Sequence, residues 1–186
     1  MQSTNLTNHF LIAMPNLADP NFFHTVTYLC AHNDDGAMGI VINRPLELLL
    51  SDMFKQMDII YNPDKAGNTP VFHGGPVQTD RGFVLHRPQS DWDSSIQVSE
   101  QIEITTSRDI LQAIANGDGP VESLVALGYA GWAAGQLEQE IKGNAWLCAP
   151  ADCDIIFNTT IDKRWQLAAH TAGIDLDKLT GEIGHA

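Results

Sequence analysis

Positive charge is scarce in this chain: 10 Lys and Arg stand against 23 Asp and Glu in 186 residues, for a formal net charge of −13. Affinity for DNA, RNA or an anionic bilayer rests on basic side chains neutralising phosphates, so neither a general nucleic-acid binder nor a membrane-surface binder is expected. Cysteine is equally sparse. Cys30, Cys148 and Cys153 are an odd set in a chain of ordinary domain size, so reduced thiols are expected rather than a disulfide framework. No apolar run approaches the roughly 18 to 20 residues of a transmembrane helix. The start Met1-Gln2-Ser3-Thr4-Asn5 lacks the positive region of a secretory signal, and a cytoplasmic location is expected. The zincin H-E-x-x-H, the Walker A loop, the dinucleotide G-x-G-x-x-G and the hydrolase G-x-S-x-G are all absent.

Metal-ligating residues are present but badly spaced. Cys148 and Cys153 fall within the broad range for zinc ligands without a second Cys or His pair to match, and read as small buried hydrophobes. His24 and His32 would stand about 25 Å apart if most of the interval is a strand, too far to share an ion. His73 and His86 would make only two ligands even if their segments paired. No metal and no cofactor is expected.

What the chain does have is 44% hydrophobic residues, enough at this length to bury the core of one compact domain over 1–186. His9–Met14 reads as a strand closed by Pro15. Thr25–His32 and Ala37–Ile42 read as a hairpin around Asn33-Asp34-Asp35-Gly36, with Asp-Gly supplying the turn. The second of these strands has no polar face, which predicts cover on both sides. Leu50, Met53, Phe54 and Met57 make a helical stripe over Leu48–Met57, and Asp58–Pro70 reads as a loop. Val71–His73, Gly82–His86, Ile96–Val98 and Ile102–Thr105 read as short strands. Ser107 is placed to cap a helix over Arg108–Asn116 that Gly117 stops. Ser123–Gly128 reads as a buried strand, Gln136–Lys142 as a helix, Ala145–Ala149 as a strand, and Ile161–Ala172 as a last helix whose apolar face holds Ile161, Trp165, Ala168, Ala169 and Ala172. Hairpins first and alternating strands and helices later predict an α/β fold with a mixed sheet covered by helices.

Three segments combine polar or glycine residues with tight apolar flanks. Asn43 and Arg44 end a buried strand, where an Arg can hold a carboxylate or phosphate, or brace a turn through backbone carbonyls. His73-Gly74-Gly75-Pro76 is followed by Arg81 and His86. Its paired glycines suit either an anion-binding nest or a tight turn, and Asp80 could pair with Arg81. The third, Leu127–Glu138, interleaves glycines with Tyr129, a candidate for an aromatic-lined pocket, and Trp132, read as core. Charge singles out the second segment: residues 65–90 hold three bases and one acid, whereas residues 91–186 hold fifteen acids and five bases. Candidate ligand-binding residues are therefore Asn43, Arg44, His73, Gly74, Gly75, Arg81, His86 and Tyr129. No catalytic residue is assigned.

The same segments resemble the AlgH/YqgE family of bacterial proteins along almost the whole chain. The carriers are Phe10–Pro15, Tyr28–His32, Gly36–Pro45, Gly74–Val77, Arg81–His86 and Leu127–Trp132. The resemblance implies an α/β fold with a mostly antiparallel, bifurcated sheet that includes a small barrel-like part surrounded by helices. It implies no catalytic residues, and the transcriptional-regulator label of some members derives from a genetic association. Two functions are weighed on the residues. One is a non-enzymatic regulatory domain that binds a small anionic ligand or a protein partner. The alternative is an enzyme acting on a small anionic substrate, with His73 or His86 as acid–base and Arg44 or Arg81 as anion clamp.

Overall fold

The structure is a computed structural model that describes residues 5–176 and Lys178, so the expected 1–186 unit extends outside the described residues at both ends. Its centre is a ten-stranded, mostly antiparallel sheet. Strand β1 (His9–Ala13) lies between β2 (Val26–Asn33) and β10 (Trp146–Pro150), and β2 forms the expected hairpin with β3 (Gly36–Val41). The turn itself is Asp34-Asp35, with Asn33 Oδ1 accepting from the Asp35 N–H at 2.8 Å. Gly36 is therefore the first residue of β3, not part of the turn. A Cβ there would stand 2.2 Å from the Trp132 carbonyl oxygen, so its smallness serves strand contact.

The long strand β9 (Ser123–Ala133) joins the two halves of the sheet. It pairs with β3 over 130–133, with β5 (Pro70–His73) in parallel at 126–127, and with β6 (Val77–His86) along most of 123–129. The end of β3 meets the residue after β5, where the Val41 N–H donates to the Gly74 carbonyl at 2.8 Å. This shared use of β9 is the bifurcation, and the sheet curls into a half-barrel. Strands β8 (Glu103–Thr105) and β7 (Ser95–Gln97) extend the sheet beyond β6, and β4 (Pro45–Leu49) pairs with β5.

Helices α1 (Leu50–Gln56), α2 (Arg108–Asn116), α3 (Gln136–Lys142), α4 (Cys153–Phe157) and α5 (Arg164–Thr171) cover the sheet. Both faces are buried. In β1, Phe10 and Ile12 join one core cluster while Leu11 and Ala13 join another; in β9, Leu124 and Ala126 alternate with Val125 in the same way. Each fully buried large apolar side chain contributes about 1.5 to 3 kcal/mol, and burial on two sides explains why these strands lack a polar face.

Some expected boundaries shift. The helix expected from Leu48 starts at Leu50, because Leu48 and Leu49 belong to β4. Strands β6 and β9 run past the expected Gly82 and Gly128, the first through a register shift between Val77 and Gly82. Ser107 takes the expected N-cap position of α2, but its hydroxyl makes no cap bond to the helix: it donates to Asp109 and accepts the Ser94 N–H at 3.0 Å. Gly117 does stop that helix, at φ +81°. The last helix begins as a 3-10 turn, Ile161–Lys163, before α5. Helix α4, five residues capped by Asp152, was too short to leave a periodic signal. Among the described residues no helix is long and apolar enough to cross a membrane.

Candidate functional site

The end of β3 is a structural junction. Asn43 accepts the Val26 N–H through Oδ1 and donates through Nδ2 to the His24 carbonyl, both at 2.9 Å. Arg44 gives its guanidinium to the carbonyls of Pro20, Asn21 and Phe23 at 2.7, 2.8 and 3.0 Å. These residues clamp the 20–24 loop, and Arg44 braces a turn as the second of its two sequence readings described. Inside the clamp, His24 stacks between Phe23 and Trp165, with ring centroids 3.8 and 3.9 Å apart. Burial lowers the His24 pKa, against a backbone hydrogen bond with Pro15 that favours the charged ring.

His73 is half-buried beside this junction, with its N–H on the Arg44 carbonyl at 2.8 Å. Burial, and then the nearby Arg44 charge, lower its pKa, so the neutral ring is favoured. Gly74 and Gly75 follow in close contact with β9. A Cβ on Gly74 would lie 2.4 Å from the Gly128 oxygen, and one on Gly75 only 2.1 Å from the Tyr129 carbonyl carbon. The Gly74 N–H is itself bonded to the Leu127 carbonyl at 2.8 Å. The glycine pair thus seats β5 against β9.

Arg81 and Tyr129 come together. The pairing of β6 with β9 sets them on an open pocket of about 550 Å³ whose walls include Met38, Val77, Phe83 and Trp132. The Arg81 guanidinium lies 5.4 Å from the Phe83 ring centre, and Phe83 meets Tyr129 edge-on at 5.7 Å. Arg81 is exposed, and among the described residues its side-chain hydrogen-bond partner is Gln78, at 3.3 Å. It makes no ion pair with Asp80; among the described residues the Arg that does pair with a carboxylate is Arg87, with Glu122 at 3.0 Å. An exposed guanidinium over an aromatic floor can take an anion, or the acidic edge of a flat ligand, while the rings cover its apolar part.

His86 stands apart from all of these. Its ring is fully buried, with Nε2 on the Thr105 hydroxyl at 2.7 Å and Nδ1 on the Arg87 carbonyl at 2.8 Å. It pairs across β9 with Ser123 while His73 pairs with Leu127 on the other edge, so the two histidines do not share a site. The residues thus assemble no His–Arg acid–base pair around His86. Among the described residues no group of three or more His, Cys, Asp or Glu side chains is placed to hold a metal ion.

Sequence reasoning missed Arg164. It opens α5, is only 6% exposed, and lines a cleft of about 590 Å³. Its signal was present in the pattern: position 164 is one turn from both Ile161 and Ala168, so a charge interrupts the apolar face.

A family model described as AlgH-like matches residues 10–177. A UPF0301 protein of Thioalkalivibrio sulfidiphilus is 62% identical over 184 residues, covering 99% of this chain and 98% of the relative. A UPF0301 protein of Nitrosococcus oceani is 55% identical over 179 residues, 96% of each chain. Among solved structures, the solution structure of the AlgH protein from Pseudomonas aeruginosa is 49% identical, covers 100% of both chains and superposes with a TM-score of 0.80. A crystal structure of a Corynebacterium diphtheriae protein, 17% identical, shares the fold with a TM-score of 0.72 over 91% of this chain and 88% of that one.

Proposed function

The chain belongs to the AlgH-like family, and from that premise we propose that it is a non-enzymatic regulatory domain that works by binding a small anionic ligand in the pocket between Arg81 and Tyr129. The observation that carries this reading is Arg81 itself, an exposed guanidinium with no carboxylate partner among the described residues, held over Phe83 at the mouth of an aromatic pocket. In a chain of net charge −13, an unpaired cation in one locally basic stretch concentrates attraction for anions there. The apolar walls favour a ligand with a flat apolar body behind its anionic group. Any link to transcription would then run through ligand or partner, in the cytoplasm, rather than through contact with DNA.

The test is a thermal-shift screen against anionic metabolites, repeated on Arg81→Ala and Tyr129→Phe. A ligand that binds only the folded state raises its apparent stability, so a shift seen in the unsubstituted protein and lost in Arg81→Ala is expected. Equal shifts in both proteins would remove the pocket from consideration. Tight binding of duplex DNA at physiological salt, abolished by Arg81→Ala, would overturn the charge argument.

A further inference from the structure

The buried Arg164 does more than its structural contacts require. Nε donates to the Thr159 carbonyl at 3.0 Å and Nη1 donates to the Ile42 carbonyl, which ties the start of α5 to the end of β3. Those two bonds use two of the five guanidinium N–H groups, and among the described residues no protein acceptor takes the others. Charge-assisted bonds to two carbonyls hold the start of the helix firmly, but they neutralise none of the charge. No carboxylate lies within 4.0 Å of it among the described residues; beyond the two carbonyls, the Phe72 ring lies 5.3 Å from the guanidinium carbon. Burial pushes its pKa down to about 10, the direction expected of a cation without a counter-ion. An unpaired buried charge is costly, and such a group in a cleft points to an anion supplied from outside.

The cleft indicates which anion. Phe72, Leu124, Ile156 and Phe157 give it an apolar side, while Asn68 and Ser123 add polar groups. Its volume, about 590 Å³, suits a small metabolite. Lys65 also lines it, but its side chain packs along Gly117, where a Cβ would come within 2.4 Å of the Lys65 Cδ, and the Asp64 that lines the cleft with it carries the opposite charge. One guanidinium without a second committed cation matches a single negative charge better than a phosphate dianion. We propose that this cleft, separate from the Arg81 pocket, is a binding site for a small organic carboxylate, with the carboxylate on Arg164 and the apolar body against Phe72, Ile156 and Phe157.

The experiment is a nuclear magnetic resonance titration of the full chain with acetate, benzoate and inorganic phosphate at millimolar concentration and constant ionic strength. Benzoate is expected to shift the Arg164 Nε–H resonance and the amides of Ser123 and Phe157 saturably, acetate to do so more weakly, and phosphate to leave them in place. Binding of benzoate should weaken about tenfold or more in Arg164→Lys, which keeps the charge but loses the planar fork, and disappear in Arg164→Gln. The site is refuted if no carboxylate moves these resonances, if the shifts gather elsewhere, or if folded Arg164→Gln binds benzoate as the unsubstituted protein does. Phosphate binding as tightly as benzoate would refute the ligand class. Should either variant fold poorly, the location of the shifts in the unsubstituted protein still decides between these outcomes.

Discussion

Arg44 and Arg164 meet the chain on either side of Asn43, and their different fates show how far one residue's surroundings decide its role. Arg44 donates to three main-chain carbonyls and holds a loop. Arg164 donates to two and keeps donors in hand beside a cleft. His73 lies close enough to Arg44 to feel its charge, and both burial and that charge lower its pKa. The linkage follows from proton counts. With a folded pKa below the unfolded value of about 6.5, the unfolded chain binds more protons at His73 as pH falls, so this residue favours unfolding increasingly below about pH 6.5. A histidine titration followed by magnetic resonance is expected to place the His73 midpoint below 6.5. Denaturant midpoints of His73→Gln should fall less on acidification from pH 7 than those of the unsubstituted protein. A His73 midpoint at or above 6.5 would show that the Arg44 charge and burial do not act on the ring as described.

Among the elements, β9 has a role that its composition conceals. It is the strand that β3, β5 and β6 all use, and its inner residues are covered on both faces. Three glycines in or next to these pairings are fixed by close approach: Gly36 and Gly75 against the β9 backbone, and Gly128 against the Gly75 carbonyl, 2.4 Å from where its own Cβ would be. Opening β9 requires breaking several pairings at once, so its amides should open only with the whole protein. Hydrogen exchange is expected to be slowest at Val125 and Ala126. It should be fast in β7, an exposed three-residue edge strand that carries Ile96 at 68% exposure. Exchange in β9 as fast as in β7 would contradict its place as the shared strand.

At the scale of the whole molecule, the net charge of −13 acts against compactness, because like charges brought together in the folded state repel. With 23 acidic side chains against 10 basic ones, more than half of the carboxylates have no Lys or Arg to pair with. Salt screens such repulsion over about 10 Å at 0.1 M. Raising sodium chloride at pH 7 should therefore raise the melting temperature, with a shrinking effect as the pH approaches the sequence pI of about 4.6. A melting temperature that falls with salt at pH 7 would mean that attractive pairs dominate instead.

Alternation, turn residues and helix stops made the first hairpin, α2, α3 and most strands legible, because those signals act over a few neighbouring residues. The acid excess and the family motifs were likewise properties of the chain alone. Glycines within β6 and β9 hid the true length of both strands, since an isolated glycine reads as an end until a facing backbone explains it. The candidate sites divided in the same way. Arg81 and Tyr129 were visible as residues, but only the β6–β9 pairing put them on one pocket. His86 looked like a candidate acid–base until the core closed over both ring nitrogens, and Arg164, which the sequence reading passed over, stands out only because the fold buries it with no carboxylate partner among the described residues. The sequence by itself determined the family, most element types and the overall charge, whereas the tertiary structure decided which polar groups are already satisfied. Satisfaction depends on partners far away in the chain: 122 residues separate Arg164 from the Ile42 carbonyl it binds.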